Sequence, residues 1–183
     1  MKKGVFIAII AALVVAITVG IIGYKILSKE VDVPENETSE RKNIYGQITV
    51  QNDDDQDVVI DFENNPKPMF INFFATWCTF CKEEIPMIEE AYEKYGDEID
   101  FVMIDLTDGE EETKDKVRQY IKENDLSFKM YYDVYYDGLD TFGATSIPLT
   151  VCIDKNGKEV FRKTGALTER EMSRILELLG VEE

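Results

Sequence analysis

The stretch PMFINFFATWCTFCKEEIP, residues 68–86, decides how this chain folds. Residues 68–75 are apolar apart from Asn72, as is typical of a strand that is buried on both faces. A helix is predicted to begin directly after this strand, at about Cys78. The pair Cys78 and Cys81 therefore lies at the point where a buried strand delivers the chain to a helix N-terminus.

A cysteine at that point has a specific chemistry. The unpaired N–H groups and the dipole of a helix N-terminus stabilise an anion, and the thiolate is the form of cysteine that attacks disulfides. Cys81 follows three residues later on the same helical face, close enough for a disulfide to form. One cysteine could attack a partner and the other resolve the mixed disulfide. Half of a zinc site and two buried core thiols are the alternatives.

Composition excludes several other classes of protein. The 183 residues contain 20 Lys and Arg against 37 Asp and Glu, which gives a net charge of −17, and there is no histidine. A polyanion has no electrostatic attraction to nucleic acid. Without histidine there is neither Ser-His-Asp catalysis nor an imidazole metal site, and three cysteines cannot form a four-cysteine zinc site. The sequence predicts no metal and no cofactor.

The first 43 residues differ in composition from the rest. Residues 4–23 carry no charge and are long enough to cross a bilayer, so residues 1–27 are predicted to be a transmembrane signal-anchor. A cleaved signal peptide is the alternative. Residues 28–43 are polar and charged and are predicted to be a flexible tether. Residues 44–183 are predicted to form one globular domain.

Within that domain, strands and helices are predicted to form a three-layered α/β sandwich. The predicted strands are residues 45–50, 58–62, 68–75, 99–106, 149–154 and 159–163. The predicted helices are residues 78–95, interrupted by Pro86, residues 110–124, and a last helix that opens on a capping box of Thr168 and Glu171.

The segment FINFFATWCTFCKEEIPMIEE, residues 70–90, resembles the active-site segment of membrane-tethered thioredoxin-like proteins of the TlpA/ResA type. Ile147-Pro148 resembles the cis-proline loop of that family, and residues 153–157 resemble the hairpin that follows it. The resemblance implies a thioredoxin-like fold, a central mixed β-sheet flanked by helices. It also implies one transmembrane helix before that fold.

The same resemblance implies roles for individual residues. Cys78 would be the nucleophile and Cys81 the resolving thiol. Pro148 would be cis and face the cysteine pair. The residues implied to contact substrate are Trp77, Thr79, Phe80, Ile147 and Pro148.

A carboxylate near the cysteines is also implied. Thioredoxins have a buried aspartate in the strand before the motif, where this chain has Asn72, which cannot accept a proton. In ResA-like members, a glutamate after the next strand tunes the cysteines. Glu112 is the predicted counterpart here, with Glu111 as the second candidate. A carboxylate there could take the proton of Cys81.

The resemblance thus predicts an extracytoplasmic thiol–disulfide oxidoreductase, single-pass in a bacterial cell membrane, that works as a reductant. It would take electrons from a transmembrane thiol carrier and pass them to client proteins with disulfides, of the apocytochrome c or methionine sulfoxide reductase type. The alternatives are an oxidase that forms disulfides in secreted proteins and a non-enzymatic binding module.

Other features have simpler interpretations. Cys152 is predicted to be a core thiol. Residues 52–55 form an acidic turn, either solvated or a calcium loop. Glu83 and Glu84 lie near the helix start, where acids complement the dipole. Four tyrosines either line a substrate groove or pack around a connecting loop; these are Tyr131, Tyr132, Tyr135 and Tyr136.

Overall fold

A computed structural model describes residues 45–181 of the chain. The signal-anchor predicted for residues 1–27 and the tether predicted for residues 28–43 lie outside the described residues. Among residues 45–181, every helix is too short or too polar to cross a bilayer.

The described residues form seven strands and four helices. The strands are β1 (Gln47–Gln51), β2 (Asp57–Asp61), β3 (Met69–Phe74), β4 (Asp100–Asp105), β5 (Met130–Tyr132), β6 (Leu149–Ile153) and β7 (Glu159–Thr164). The helices are α1 (Thr79–Tyr95), α2 (Lys114–Glu123), α3 (Asp137–Phe142) and α4 (Glu169–Leu179).

All seven strands belong to one mixed sheet, in the order β2-β1-β5-β4-β3-β6-β7. β4 is the central strand and runs parallel to both of its neighbours, β3 and β5. β6 pairs with β3 in the antiparallel sense, and β7 and the β1–β2 hairpin complete the two edges. The predicted mixed sheet is therefore confirmed.

Side chains of β3 alternate between two apolar cores, one on each face of the sheet. Phe70 and Phe74 belong to the core that receives the buried sides of α1, α2 and α4. Ile71 and Phe73 belong to the other core, which Phe142 of α3 helps to close. Helices on both faces of the sheet give the three layers predicted from the sequence.

The structure differs from the predicted elements at several points. Helix α1 continues through Pro86 rather than breaking there. α2 begins at Lys114, after the Thr113 hydroxyl that caps it, and not at Glu110. β5 and α3 are too short to produce a clear periodic pattern and were not predicted.

Two local signals in the sequence are confirmed. The hairpin between β6 and β7 turns at Asn156-Gly157, where Gly157 has a φ of 74°, a conformation that favours glycine. Thr168 and Glu171 form the predicted capping box at the start of α4.

The acidic turn between β1 and β2 is tied to α2 by ion pairs. Lys114 Nζ lies 2.6 Å from Asp55 Oδ1, and the Arg118 guanidinium reaches the same carboxylate at 3.2 Å. This contact neutralises part of the turn and fixes the edge hairpin against α2.

Candidate functional site

The predicted site residues meet at the edge of the sheet that is formed by the carboxyl ends of β3 and β4. Phe74, the last residue of β3, pairs with Asp105, the last residue of β4. Phe73 pairs with Leu149, which follows the Ile147-Pro148 dipeptide. Because parallel β3 and β4 end together while antiparallel β6 begins there, three separate loops come together at this edge.

Cys78 and Cys81 form a disulfide in the first turn of α1, with a Cα–Cα distance of 5.3 Å. Cys78 is the N-cap residue of the helix, and the backbone N–H of Cys81 donates to its Sγ at 3.1 Å. After reduction, the same N–H and the helix N-terminus would stabilise a thiolate at Cys78. Cys78 is 6% exposed, whereas Cys81 is completely buried.

The Ile147–Pro148 peptide bond is cis, as the resemblance implied. Pro148 is buried, and its carbonyl accepts the backbone N–H of Gly165 at 2.8 Å. Ile147 is half-buried and contacts both apolar cores. The loop before β6 is therefore held from both sides at the edge that carries the disulfide.

A groove of about 370 Å³ opens beside this loop. Its lining includes Trp77 from the loop after β3, Leu106 directly after β4, and Ile147 from the loop before β6. The remaining lining residues are Leu139, Ala144, Thr145 and Ser146. Trp77 is 56% exposed and Phe80 is 63% exposed, so two large apolar side chains flank the disulfide in contact with solvent.

Glu112 is buried at this edge and contacts the segment before the motif. Its carboxylate accepts the backbone N–H of Thr76 at 2.6 Å and the Thr76 hydroxyl at 2.8 Å. Thr76 lies two residues before Cys78. Glu111, the second candidate, is exposed at the surface of the loop.

Asp105 is a second buried carboxyl group in the same place, and sequence reasoning did not single it out. It is completely buried, and its Oδ1 accepts the Thr107 hydroxyl at 2.6 Å. Burial raises the pKa of Asp105 to about 8; the Thr107 hydrogen bond opposes this rise and the neighbouring Glu112 carboxylate reinforces it.

Glu84 is buried in the second turn of α1, three residues after Cys81. Its Oε1 accepts the Asn72 amide at 2.8 Å, and its Oε2 accepts the backbone N–H of Leu167 at 2.6 Å. Burial raises the pKa of Glu84, although both hydrogen bonds oppose the shift. Glu83 is exposed, so two adjacent glutamates that look alike in the sequence occupy opposite environments.

The positions of the remaining sequence candidates decide between the interpretations that the sequence left open. Cys152 is completely buried in β6, and burial raises the pKa of its thiol, which confirms a core residue. Tyr132 is buried and its hydroxyl donates to Asp53 at 2.5 Å. Tyr135 and Tyr136 are exposed and lie outside the set of residues that lines the groove. Within the described part of the chain, no group of His, Cys, Asp and Glu side chains is arranged to hold a metal ion.

Sequence reasoning missed Asp105 and Glu84 for different reasons. Asp105 ends a strand and could equally have faced solvent at a sheet edge. Glu84 follows Glu83 in a polar stretch of helix, and only the position of α1 on the sheet decides which of the two is buried. The pairing of Glu84 with Asn72, 12 residues earlier, is a weak signal, since a polar side chain in an otherwise apolar strand needs a partner.

The mixed sheet and the disulfide at the start of α1 define the class: a thioredoxin-like fold with a CxxC pair. The thioredoxin-like domain model matches residues 56–180, and the chain belongs to that family.

The chain is similar to two curated relatives and to one solved structure. The thiol-disulfide oxidoreductase ResA of Bacillus thuringiensis is 31% identical over 60% of this chain and 62% of its own length. The thioredoxin-like protein YneN of Bacillus subtilis is 31% identical over 61% of this chain and 65% of its own. The crystal structure of StoA from Bacillus subtilis matches with a TM-score of 0.61 at 20% identity, covering 73% of this chain and 98% of that one. The alignments with the two curated relatives therefore span less than two thirds of either relative.

Proposed function

We propose that this protein is a thiol–disulfide oxidoreductase. The observation that carries the proposal is the Cys78–Cys81 disulfide in the first turn of α1, with the cis-Pro148 loop ending at the same edge of the sheet. The name of the ResA relative from Bacillus thuringiensis supports the same chemistry.

The two cysteines have different roles in the proposed reaction. In the reduced protein, the Cys78 thiolate attacks one sulfur of a client disulfide, forms a mixed disulfide and releases the other client sulfur as a thiolate. Cys81 then loses its proton to water and attacks Cys78 Sγ as a thiolate, which re-forms the Cys78–Cys81 disulfide and releases the second client thiolate. Both client thiolates take up protons from water. The client gains two electrons and this protein loses two. The greater exposure of Cys78 supports this order, because only an accessible sulfur can attack a client.

We further propose that the protein works as a reductant outside the cytoplasm of a bacterial cell, held at the membrane by residues 1–27. The uncharged run of residues 4–23 supports the anchor. Because disulfides persist outside the cytoplasm, a reductant there needs an electron supply, and we assign that role to a transmembrane thiol carrier.

The groove beside the disulfide is the proposed binding site for the client. A polypeptide segment lying against Trp77 and Ile147 would bring its own disulfide toward Cys78. Trp77, Thr79 and Phe80 would contact the client, together with Ile147 and Pro148. Clients of the apocytochrome c or methionine sulfoxide reductase type fit this proposal, since both have cysteines that must be returned from the disulfide to the thiol form.

One observation favours the opposite direction of electron flow as a second candidate. The Cys81 N–H and the helix N-terminus stabilise a Cys78 thiolate, and a stabilised thiolate makes the disulfide more oxidising. An oxidase of secreted proteins would use the same two cysteines in reverse.

Trapping the mixed disulfide tests the proposed roles. In full-length Cys81→Ser, one client sulfur should stay bonded to Cys78 as a stable mixed disulfide. Cys78→Ser should form no mixed disulfide and should no longer reduce client disulfides. Cys152→Ala, which removes the buried third thiol, is the matched control and should leave reduction intact. Reduction by Cys78→Ser at the rate of the unmodified protein would overturn the proposal.

A further inference from the structure

Two buried carboxyl groups lie against each other at the carboxyl end of β4. Asp105 is completely buried and Glu112 is 1% exposed. Glu112 acts on Asp105 both by charge and by hydrogen bonding. Two ionised carboxylates in contact within the same apolar surroundings would repel each other strongly, so one proton shared by the pair is the stable arrangement.

The hydrogen bonds assign that proton to one member of the pair. Both oxygens of Glu112 accept hydrogen bonds from Thr76, as a carboxylate does. Asp105 accepts a hydrogen bond at Oδ1, but its buried Oδ2 has no donor among residues 45–181. A proton on Asp105 would turn this unpartnered oxygen into a donor to Glu112 and satisfy the last buried group of the pair.

The surrounding charges do not replace that proton. Asp108 and Tyr132 also interact with Asp105; Asp108 adds negative charge, and burial keeps the Tyr132 phenol neutral by raising its pKa. The cations of α2, Lys114 and Arg118, lie over the Tyr132 ring and form ion pairs with the acidic turn.

We propose that Asp105 is a positioning residue that carries a proton at neutral pH and, through it, donates a hydrogen bond to Glu112, which in turn holds Thr76 and the Trp77–Cys78 segment in place. The location of the proton is independent of the proposed oxidoreductase activity. Only its effect on Cys78 chemistry rests on that activity.

Loss of the proton would change the site in two ways. It would place a second negative charge behind the Thr76–Cys78 segment and disfavour the Cys78 thiolate. It would also remove one of the donors that hold the Glu112 carboxylate in position. The reactivity of Cys78 should therefore follow the titration of Asp105 in addition to its own.

Infrared spectroscopy of the full-length oxidised protein tests the location of the proton. At neutral pH we expect a carbonyl stretching band of a protonated carboxylic acid that is lost in Asp105→Asn, whose amide keeps the shape and the donor. Glu84→Gln and Asp133→Asn, which alter the other buried carboxyls with raised pKa values, are the controls and should keep the band that Asp105→Asn removes. The proposal is wrong if the spectra of the unmodified protein and Asp105→Asn coincide in this region.

A pH profile of Cys78 alkylation in the reduced protein tests the positioning role. The unmodified protein should show two inflections, and Asp105→Asn should lose the one that belongs to Asp105 while reacting at a similar rate at neutral pH. Two inflections in both proteins would overturn the positioning role. Failure of the oxidoreductase proposal has a different signature. Cys78→Ser would remain active, while the infrared band would still be present in the unmodified protein and lost in Asp105→Asn.

Discussion

The Asn72 amide donates a hydrogen bond of 2.8 Å to the Glu84 carboxylate and so links β3 to α1, the helix that begins at the cysteines. The second Glu84 oxygen binds the backbone N–H of Leu167, just before α4. One side chain therefore ties α1 to β3 and to the segment that leads into α4. This polar link holds the base of the site in an otherwise apolar core.

Replacing Glu84 by glutamine should destabilise the protein. Both carboxylate oxygens accept N–H donors, and an amide can offer only one oxygen, so one buried donor loses its partner. We expect a loss of about 1–3 kcal/mol in the free energy of unfolding, measured in urea. Glu83→Gln is the matched control at an exposed neighbouring position and should change stability by less than about 0.5 kcal/mol. Equal effects at the two positions would contradict the assigned role of Glu84.

Replacing Asp105 by asparagine should change how stability depends on pH. Because the pKa of Asp105 is raised in the folded protein, the folded state binds more protons than the unfolded chain at intermediate pH. This contribution to stability is complete below the unfolded pKa and is lost as the pH rises toward about 8. In Asp105→Asn, the fall in stability across that window should be shallower by up to about 1.4 kcal/mol per pH unit. Asp140→Asn, at an exposed aspartate, should keep the slope of the unmodified protein. Indistinguishable slopes for Asp105→Asn and the unmodified protein would argue against a raised pKa at Asp105.

Truncating Trp77 should separate client binding from stability. Its side chain is 56% exposed and lines the groove, so Trp77→Ala should leave the free energy of unfolding within about 0.5 kcal/mol while raising KM for a protein disulfide. Leu178→Ala, at another exposed apolar side chain on α4, is the control and should leave KM unchanged. An unchanged KM for Trp77→Ala would exclude the groove as the client site.

Removing the cap of α4 should have a small and predictable cost. The Thr168 hydroxyl accepts a hydrogen bond from the Glu171 N–H, and the Glu171 carboxylate accepts one from the Thr168 N–H. Thr168→Ala should lower the free energy of unfolding by about 1 kcal/mol. Because Thr168 and Glu171 form hydrogen bonds with each other and with Lys163, and none with the cysteines, thiol reactivity should stay the same; altered reactivity would show that the cap acts on the site.

The sequence predicts most of the fold because its strongest signals are local. Turn chemistry at Gly157, the capping box at Thr168 and the apolar run before Cys78 each specify their own element. The short elements β5 and α3 depend on tertiary contacts, for example the backbone N–H of Thr49 that donates to the Asp137 carboxylate. Their own residues carry no comparable signal.

The site is only partly predictable for the same reason. The motif itself places Cys78 and Cys81, and the resemblance places Pro148 and Glu112. The environments of Asp105 and Glu84 depend on which neighbouring elements cover them. A sequence position cannot reveal that a strand-end aspartate meets a glutamate from the following loop.

The reduction potential of the Cys78–Cys81 disulfide in the full-length protein tests the proposed function most directly. Equilibration with thiol buffers of known potential, followed by quantification of the disulfide, gives the value. A reductant requires a potential near that of thioredoxin, about −270 mV, and this is the result we expect. A potential near about −120 mV would reverse the direction of electron flow, and a pair that never forms a disulfide in solution would contradict the thiol–disulfide chemistry altogether.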